Sequence, residues 1–246
     1  MKKSLLISSV LVLAALTSQS ALADVRVRAG ISSATYNLGG DYITAKSNYT
    51  PVNLGLTFSG DSGMYVDLAG SSGTGKHDGW TSLGFPAENF KRTDAALTLG
   101  SSHVSDGGIG SVFYVGYKIG TTTLGAENAG LAWTEETFKS SGLILGGGAS
   151  LPIAGGSAGS VGVNLGLGLM SATWQDTTGF NQKSKTKLGF SLGANYNFPI
   201  SSHFGVIADL KYNSYSYKFD NPGFTPNPFT VNEKISSLGA TLYAKF

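Results

Sequence analysis

Histidines and carboxylates are the side chains through which this chain could carry out acid–base or metal chemistry. The sequence has three histidines, fifteen aspartates and glutamates, and no cysteine, so thiol chemistry and disulfides are excluded. His77 is followed by Asp78, whereas His103 and His203 lie far along the chain in two separate turn-like segments. This spacing predicts neither a catalytic group nor a bound metal or cofactor.

A glycine-rich string, Gly70 to Lys76, is similar to a phosphate-binding loop. In such loops the lysine is followed by Ser or Thr, whose hydroxyl binds magnesium, and a helix begins there. Here His77 occupies the Ser/Thr position, and no helical pattern follows it. We therefore do not assign nucleotide binding to this string.

Charged residues also occur in runs in which apolar and polar side chains alternate. A period of two places the two sets on opposite faces of an extended strand. Five cations and three acids on these polar faces predict either a salt-bridged interior or a polar path with a basic bias. They are Arg26, Arg28, Asp67, Asp94, Lys118, Lys187, Asp209 and Lys211.

The first 23 residues have the pattern of a cleaved secretory signal peptide. Lys2 and Lys3 precede an apolar run from Leu5 to Leu16, and Ala21-Leu22-Ala23 is a small-x-small cleavage site. Cleavage before Asp24 would remove two of the 17 basic residues and leave 15 against 15 acids. The formal charge of +2 then belongs to the precursor, so no nucleic-acid partner is expected.

Composition favours an all-β membrane protein over residues 24–246. Charged residues make up 13% of the chain, about half the usual share, and glycine accounts for 35 of 246 residues. After residue 23 no apolar run approaches the roughly 20 residues that a membrane helix needs.

Alternation recurs in about ten segments, and this count predicts an antiparallel up-and-down β-barrel, with eight or twelve strands as alternatives. Short turns and longer connections follow one another, the longer ones near 71–90, 121–140, 176–185 and 220–233. The segment from Leu143 to Leu151 has no clear phase. The predicted strands lie at 25–31, 52–58, 64–68, 93–100, 109–119, 143–151, 161–169, 188–198, 204–212 and 237–246.

The last segment ends on Phe246, with Leu238, Ala240, Leu242 and Ala244 on the same face. It resembles the terminal strand of Gram-negative outer-membrane β-barrel proteins, which typically end on Phe. The resemblance implies a location in the outer membrane, contact with its lipid and lipopolysaccharide, and recognition of the last strand by the barrel-assembly machinery. It leaves the oligomeric state open.

Aromatic residues form two groups on this interpretation. Phe58, Phe198, Phe204 and Phe246 lie beside short turns or the carboxy terminus, in the outward phase, which predicts an aromatic girdle at the periplasmic interface. The longer connections carry other aromatics that could rest on lipopolysaccharide or bind a ligand. The candidates are Trp80, Trp133, Phe224 and Phe229.

These features predict a non-enzymatic outer-membrane barrel that is structural or forms a narrow pore for small solutes. The alternative is a surface adhesin or receptor that binds through its long aromatic loops. An outer-membrane hydrolase is the least favoured, because barrel enzymes such as omptins need a histidine with Asp or Ser near the outer rim. Asp209 is followed two residues later by Lys211 instead of histidine.

Overall fold

A computed structural model describes residues 22–40, 44–79, 87–125, 135–177, 179, 181–220 and 228–246. Within them the chain forms strands and one short 3-10 turn at Ala154–Gly156; no helix there could span a membrane. The strands are β1 (Leu22–Gly40), β2 (Thr44–Tyr49), β3 (Val52–Gly60), β4 (Met64–His77), β5 (Glu88–Val104), β6 (Gly110–Gly125), β7 (Glu135–Pro152), β8 (Ser160–Asp176), β9 (Asn181–Lys185), β10 (Lys187–Pro199), β11 (Phe204–Phe219) and β12 (Phe229–Lys245).

The strands pair antiparallel in chain order, and the sheet closes on itself because β1 pairs β12 along its length. The carboxy-terminal residue completes this seam: the Phe246 N–H donates to the Val25 carbonyl at 2.9 Å, and the Val25 N–H donates to the Phe246 carbonyl at 3.1 Å. The predicted all-β, up-and-down barrel is therefore confirmed.

Two of the ten positions around the barrel hold interrupted strands. β2 and β3 both pair β1 and β4 in one unbroken register, with the break at Pro51, which has no N–H to donate. β9 and β10 both pair β8, but Lys183 faces Thr173 while Lys187 faces Met170. One extra residue near Thr186 makes this break a β-bulge. Twelve segments thus form ten strands around the ring.

The predicted phases hold along these strands. Val163, Leu165 and Leu167 point outward from β8, and Asn164 and Gly166 point inward. The sequence alone left open which residues of β7 face outward. In the structure Leu143 and Leu145 are exposed on the outside, and Ile144 packs toward the interior.

The outer surface has two zones. From the short turns up to a sharp boundary the outward side chains are apolar, apart from Ser101, His103 and Ser111 beside one turn. Beyond the boundary they are polar. We call these zones the membrane half and the extramembrane half. The membrane half contributes about ten residues per strand, the length that a tilted membrane strand needs. Along the chain the change falls between the outward-facing residues Ile31 and Ser33, Thr50 and Val52, Gly70 and Ser72, Thr93 and Ala95, Ile119 and Thr121, Ser141 and Leu143, Leu169 and Ser171, Lys185 and Leu188, Tyr212 and Ser214, and Ser236 and Leu238.

The extramembrane half corrects the predicted loop lengths. β4 continues to His77 and β5 begins at Glu88, so half of the predicted connection 71–90 is strand. Likewise β6 continues to Gly125 and β7 begins at Glu135. Outward Ser, Thr and Lys residues beside inward glycines have the composition of a loop, although they face water from a strand.

Tyrosine rings pack against inward-facing glycines of the neighbouring strands in the membrane half. Gly100 lies beside Tyr65, and Gly146 beside Tyr114; in each case a Cβ on the glycine would clash with the ring. Missing side chains on one strand therefore make room for large ones on the next.

The zone boundary predicts a position-dependent cost for an outward arginine on β8. Leu165→Arg places a charge near mid-bilayer and should lower the free energy of unfolding by about 2–4 kcal/mol. Gln175→Arg, on the same strand and face but in the extramembrane half, should change it by less than about 0.5 kcal/mol. Denaturant titrations in liposomes measure both values. Equal costs would show that the boundary is misplaced.

Candidate functional site in the barrel lumen

A network of buried charges crosses the lumen where the two halves meet. Arg92 of β5 donates from Nε and Nη2 to the Asp94 carboxylate at 2.9 and 2.7 Å, and from Nη1 to Thr122 Oγ1 at 2.7 Å. Its Nη1 also pairs with Glu233 of β12, four strands away around the ring. Lys118 lies 3.8 Å from Asp94.

Tyrosines complete this network, which we call the junction cluster (Arg92, Asp94, Lys118, Thr122, Glu233 and the hydroxyls of Tyr36 and Tyr217). Both hydroxyls donate to Glu233, at 3.3 Å from Tyr36 and 3.0 Å from Tyr217. Burial, reinforced by the charge of Glu233, raises the pKa of each tyrosine, so both remain neutral donors. Lys118 reaches across the lumen to lie over the Tyr215 ring at 5.5 Å.

The junction cluster is neutral, with two cations and two carboxylates. Arg92 is 1% exposed and Glu233 0%, so neither charge has water as an alternative partner. In a buried ion pair the attraction between the charges roughly offsets the free energy of their desolvation. Removal of one partner leaves the other charge buried and unpaired, at a cost of several kcal/mol. The cluster therefore fixes how β5 and β12 face each other across the barrel.

Above this cluster the lumen is filled by apolar side chains that we call the apolar plug. Rings from distant strands meet there: Phe138 lies 5.3 Å from Tyr217, and Tyr36 lies 5.2 Å from Phe90 between ring centroids. Over the described residues the interior of the extramembrane half is thus packed like the core of a soluble protein. The plug consists of Tyr36, Leu38, Tyr49, Phe90, Leu124, Phe138, Met170, Tyr217, Phe219, Phe229 and Val231.

His77 points inward at the end of β4 that is farthest from the membrane half, opposite Glu88 of β5. It is 1% exposed, and both ring nitrogens are engaged by backbone: Nε2 lies 2.8 Å from the Gly125 carbonyl, and Nδ1 accepts from the Gly79 N–H at 3.2 Å. Burial lowers its pKa. These contacts make His77 a neutral structural link between β4 and β6. His103 and His203 lie at the other end of the barrel.

Glu136 is a second buried acid of the extramembrane half. Its Oε2 accepts a hydrogen bond from Trp174 Nε1 at 3.1 Å. Burial raises its pKa from 4.5 to about 7, because the indole donor only partly offsets the loss of water and Asp176 adds repulsion.

The predicted lumen charges lie on the inward faces of their strands, and most are paired. Arg28 pairs with Asp67, and Lys211 with Asp209 at 3.0 Å. Asp94 and Lys118 belong to the junction cluster. Lys187 is exposed at the start of β10, beside the bulge.

Arg26 departs from the expected network. A salt-bridged interior, one of the two predictions for these charges, would pair Arg26 with an acid. Instead the Arg26 guanidinium lies over the Tyr243 ring, 5.0 Å from its centroid, and pairs with no carboxylate of the described residues.

The four girdle phenylalanines occupy one end of the barrel, at or beside the short turns. Phe198 and Phe204 flank the turn at 200–203, and Phe58 pairs in register with Val25. Phe246 is 73% exposed beside the same seam.

The prediction that Phe229 lies in a long connection, where it could contact lipopolysaccharide or a ligand, is wrong. This residue begins β12 and is 3% exposed, with its ring stacked on Phe219 at 5.2 Å and edge-on to Trp174 at 6.0 Å. The β12 alternation that predicts inward residues continues up to it. Trp80, Trp133 and Phe224 lie outside the described residues.

Arg92 and Glu233 were missed by the sequence analysis, although a signal for Arg92 was present. Phe90 and Arg92 share the inward parity of Asp94 on β5, but both fell inside or beside the predicted connection 71–90. No group of three or more potential metal ligands occurs within the described part of the chain.

A closed, antiparallel ten-stranded barrel with an apolar outer belt and a polar lumen is the fold of the Gram-negative outer-membrane β-barrel proteins. The structure is similar to that of the outer-membrane protease OmpT from Escherichia coli, with a TM-score of 0.65 and 9% identity over 93% of this chain and 98% of that one. The translocator domain of autotransporter NalP from Neisseria meningitidis aligns at a TM-score of 0.49 and 12% identity (99% and 96% covered). The outer-membrane protein OprG from Pseudomonas aeruginosa aligns at 0.47 and 12% (91% and 95% covered). The sequence matches no protein-family model, and no curated protein matches it.

The raised pKa of Glu136 predicts a pH-dependent stability. Between the ordinary pKa of 4.5 and the folded value of about 7 the folded state binds more protons than the unfolded state. This contribution to stability is complete below pH 4.5 and is lost as the pH rises toward 7, a change on the order of 3 kcal/mol.

Glu136→Gln should abolish this part of the dependence, because the amide stays neutral at every pH. The measurement is the free energy of unfolding of both proteins at pH 4.5 and pH 8. A constant difference between them at the two pH values would contradict the prediction.

Proposed function

We propose that this protein is a non-enzymatic barrel of the Gram-negative outer membrane whose lumen does not conduct solutes. It acts as a structural component of the outer leaflet, with a rigid extramembrane half that rises from the lipid. The proposal favours the structural form of the sequence-based hypothesis over the narrow pore.

The observation that carries the proposal is the obstruction of the lumen. The Arg92–Glu233 pair and the contact of Lys118 with Tyr215 each cross four strand positions of the ring. The apolar plug lies directly above them. An ion that follows the lumen would have to displace both a compensated charge network and packed aromatic rings, each of which costs several kcal/mol.

The engagement of His77 supports the non-enzymatic part of the proposal. A general base needs a ring nitrogen within reach of substrate, whereas both nitrogens of His77 contact backbone groups. The likeness to a protease, at 9% identity, concerns the fold.

Conductance in planar bilayers tests the obstruction. We expect the refolded protein to leave the bilayer silent at 1 M salt, under conditions in which a wide porin inserted in parallel gives discrete steps. Insertion is verified independently by protection of the membrane half from protease. Discrete openings of the inserted wild-type protein would contradict the proposal.

We further propose that anionic lipopolysaccharide is the lipid partner of the extramembrane half. Eight exposed lysines face outward there, and among the described residues the exposed carboxylates of this half, Asp78, Glu135 and Asp220, lie at the strand ends farthest from the membrane. Lys185 is paired with Asp220 at 3.0 Å. Such a basic surface attracts phosphate-bearing headgroups. The lysines are Lys46, Lys76, Lys91, Lys139, Lys183, Lys185, Lys218 and Lys234.

Two sets of three lysines allow a matched comparison. Lys91, Lys139 and Lys234 lie within about four residues of the boundary, and Lys46, Lys76 and Lys218 lie farther from it. Conversion of the first set to Gln should weaken lipopolysaccharide binding on the order of 100-fold, at about 1 kcal/mol per lysine near the surface. Conversion of the second set should have a smaller effect.

Lipopolysaccharide titrated onto detergent-solubilised barrels at two salt concentrations measures both. Equal losses for the two sets, or a loss that does not depend on salt, would contradict a headgroup contact at the boundary.

A further inference from the structure

Two carboxylates face each other where β7 and β8 end farthest from the membrane half; we call these the outer ends of the two strands. Glu136 and Asp176 form the last pair of the β7–β8 ladder. Glu136 is 5% exposed, and on its other side it faces the apolar Leu124 of β6. Side chains that are paired in this way have Cβ atoms about 5 Å apart, a distance at which like charges repel. A single proton on Glu136 removes the repulsion.

Few groups could stabilise an ionised Glu136. Trp174 Nε1 is its one hydrogen-bond donor among the described residues, at 3.1 Å, and an indole carries no charge. No salt bridge of the described residues includes Glu136. From residue 22 on, the segments outside the described residues contain neither Lys nor Arg. A buried carboxyl in such surroundings favours its protonated, neutral form.

Two further titratable side chains face the same end of the lumen. His77 of β4 reaches the Gly125 carbonyl of β6, and Glu88 of β5 lies opposite His77. Burial lowers the pKa of His77 from 6.5, so its ring is neutral at neutral pH. A proton gained by His77 in more acid solution would destabilise the packed end. This effect has the opposite sign to that of a proton on Glu136, so an experiment can separate the two.

Trp174 connects Glu136 to the apolar plug. Its ring is edge-on to Phe219 at 6.3 Å and to Phe229 at 6.0 Å, and these two rings stack at 5.2 Å. Phe138, the next inward residue after Glu136 on β7, lies 6.4 Å from Phe219. Separation of the outer ends of β7 and β8 would therefore expose the upper surface of the plug.

We propose that Glu136 and Asp176 form a pH-sensitive switch that keeps the outer end of the apolar plug closed in acid and opens it toward neutral pH. When Glu136 loses its proton, a buried carboxylate faces a second carboxylate at the end of the ladder. A terminal pair can separate without disruption of the pairs below it, so this end opens first. Separation returns Glu136 to water. Access to the plug from outside then depends on the pH of the medium.

The size of the effect follows from proton linkage. Burial raises the pKa of Glu136 to about 7, and the repulsion from Asp176 adds to it, whereas the ordinary value of 4.5 applies once the end is open. The equilibrium constant for opening should therefore rise about tenfold per pH unit between these two values and level off above pH 7.

This inference goes beyond the proposed function and does not depend on it. The junction cluster lies below the plug and is neutral, with each charge paired, so the lumen stays closed whether the outer end is open or not. A silent bilayer is compatible with either state of the outer end. Conversely, an outer end that does not respond to pH leaves the closed lumen standing.

Hydrogen–deuterium exchange followed by mass spectrometry tests the proposal on the refolded, full-length mature barrel in liposomes between pH 5 and pH 8. Protection factors, corrected for the intrinsic pH dependence of exchange, report the equilibrium constant for local opening. In peptides that cover 135–138 and 173–176 they should fall about tenfold per pH unit up to pH 7. In peptides that cover 161–167, in the membrane half of β8, they should stay constant.

Glu136→Gln keeps an acceptor for Trp174 but has no proton to lose, so the fall toward pH 7 should disappear. The ratio of wild-type to Glu136→Gln protection cancels the contribution of His77, which both proteins share. Glu135→Gln is the matched control, because it removes the same charge from the exposed neighbouring residue and should leave the wild-type profile. Asp176→Asn removes the repulsion and should move the levelling-off below pH 7.

Each variant is first shown to be folded by its heat-modifiable electrophoretic shift. A ratio of wild-type to Glu136→Gln protection that is constant from pH 5 to pH 8 would overturn the proposal. So would an equal fall of protection over 161–167, because the whole barrel and not its outer end would then respond to pH.

Discussion

Every backbone N–H and C=O within a bilayer must find a partner in the protein, and this constraint governs the whole structure. Lipid offers no hydrogen bonds, so a sheet in the membrane must close. Here the closure depends on β1 and β12, which pair over fifteen positions from Arg26 to Gly40. Phe246 extends that seam by its own backbone. Once the ring is closed, alternation leaves each side chain with one of two environments, the lumen or the outside.

Solvent changes along the barrel axis, and the pattern of side chains reverses with it. In the membrane half the outside is apolar and the lumen holds charges; in the extramembrane half the outside holds lysines and the lumen holds aromatic rings. Each long strand is therefore apolar on its outer face in one half of the barrel and apolar on its inner face in the other. The junction cluster lies at the crossing point, where Arg92 and Glu233 are enclosed by the plug on one side and by a polar cavity on the other.

Period-two alternation was sufficient to predict the ring of ten strands and the face of most residues from Arg26 to Phe246. It failed where the environment reversed. Gly73, Gly75 and Lys76 were interpreted as loop, because a strand with a polar outside and glycines inside has no apolar face to detect. Phe229 was assigned to a loop for a different reason: the predicted connection 220–233 covered it, although Phe229, Val231 and Ile235 share the inward face of β12. The cross-lumen pairing of Arg92 with Glu233 joins residues 141 positions apart, which no local pattern can supply.

The outward lysines of the extramembrane half also bear on how the barrel stays in place. To leave the membrane toward the short turns, seven of the ten strand positions would have to draw outward lysines through the hydrocarbon, at about 2–4 kcal/mol per charge near the midplane. Because the strands are joined edge to edge, they would have to do so together. Once the extramembrane half has crossed and its aromatic core has formed, the lysines raise the activation free energy for extraction. The barrel is then held in the membrane kinetically, independently of its equilibrium stability.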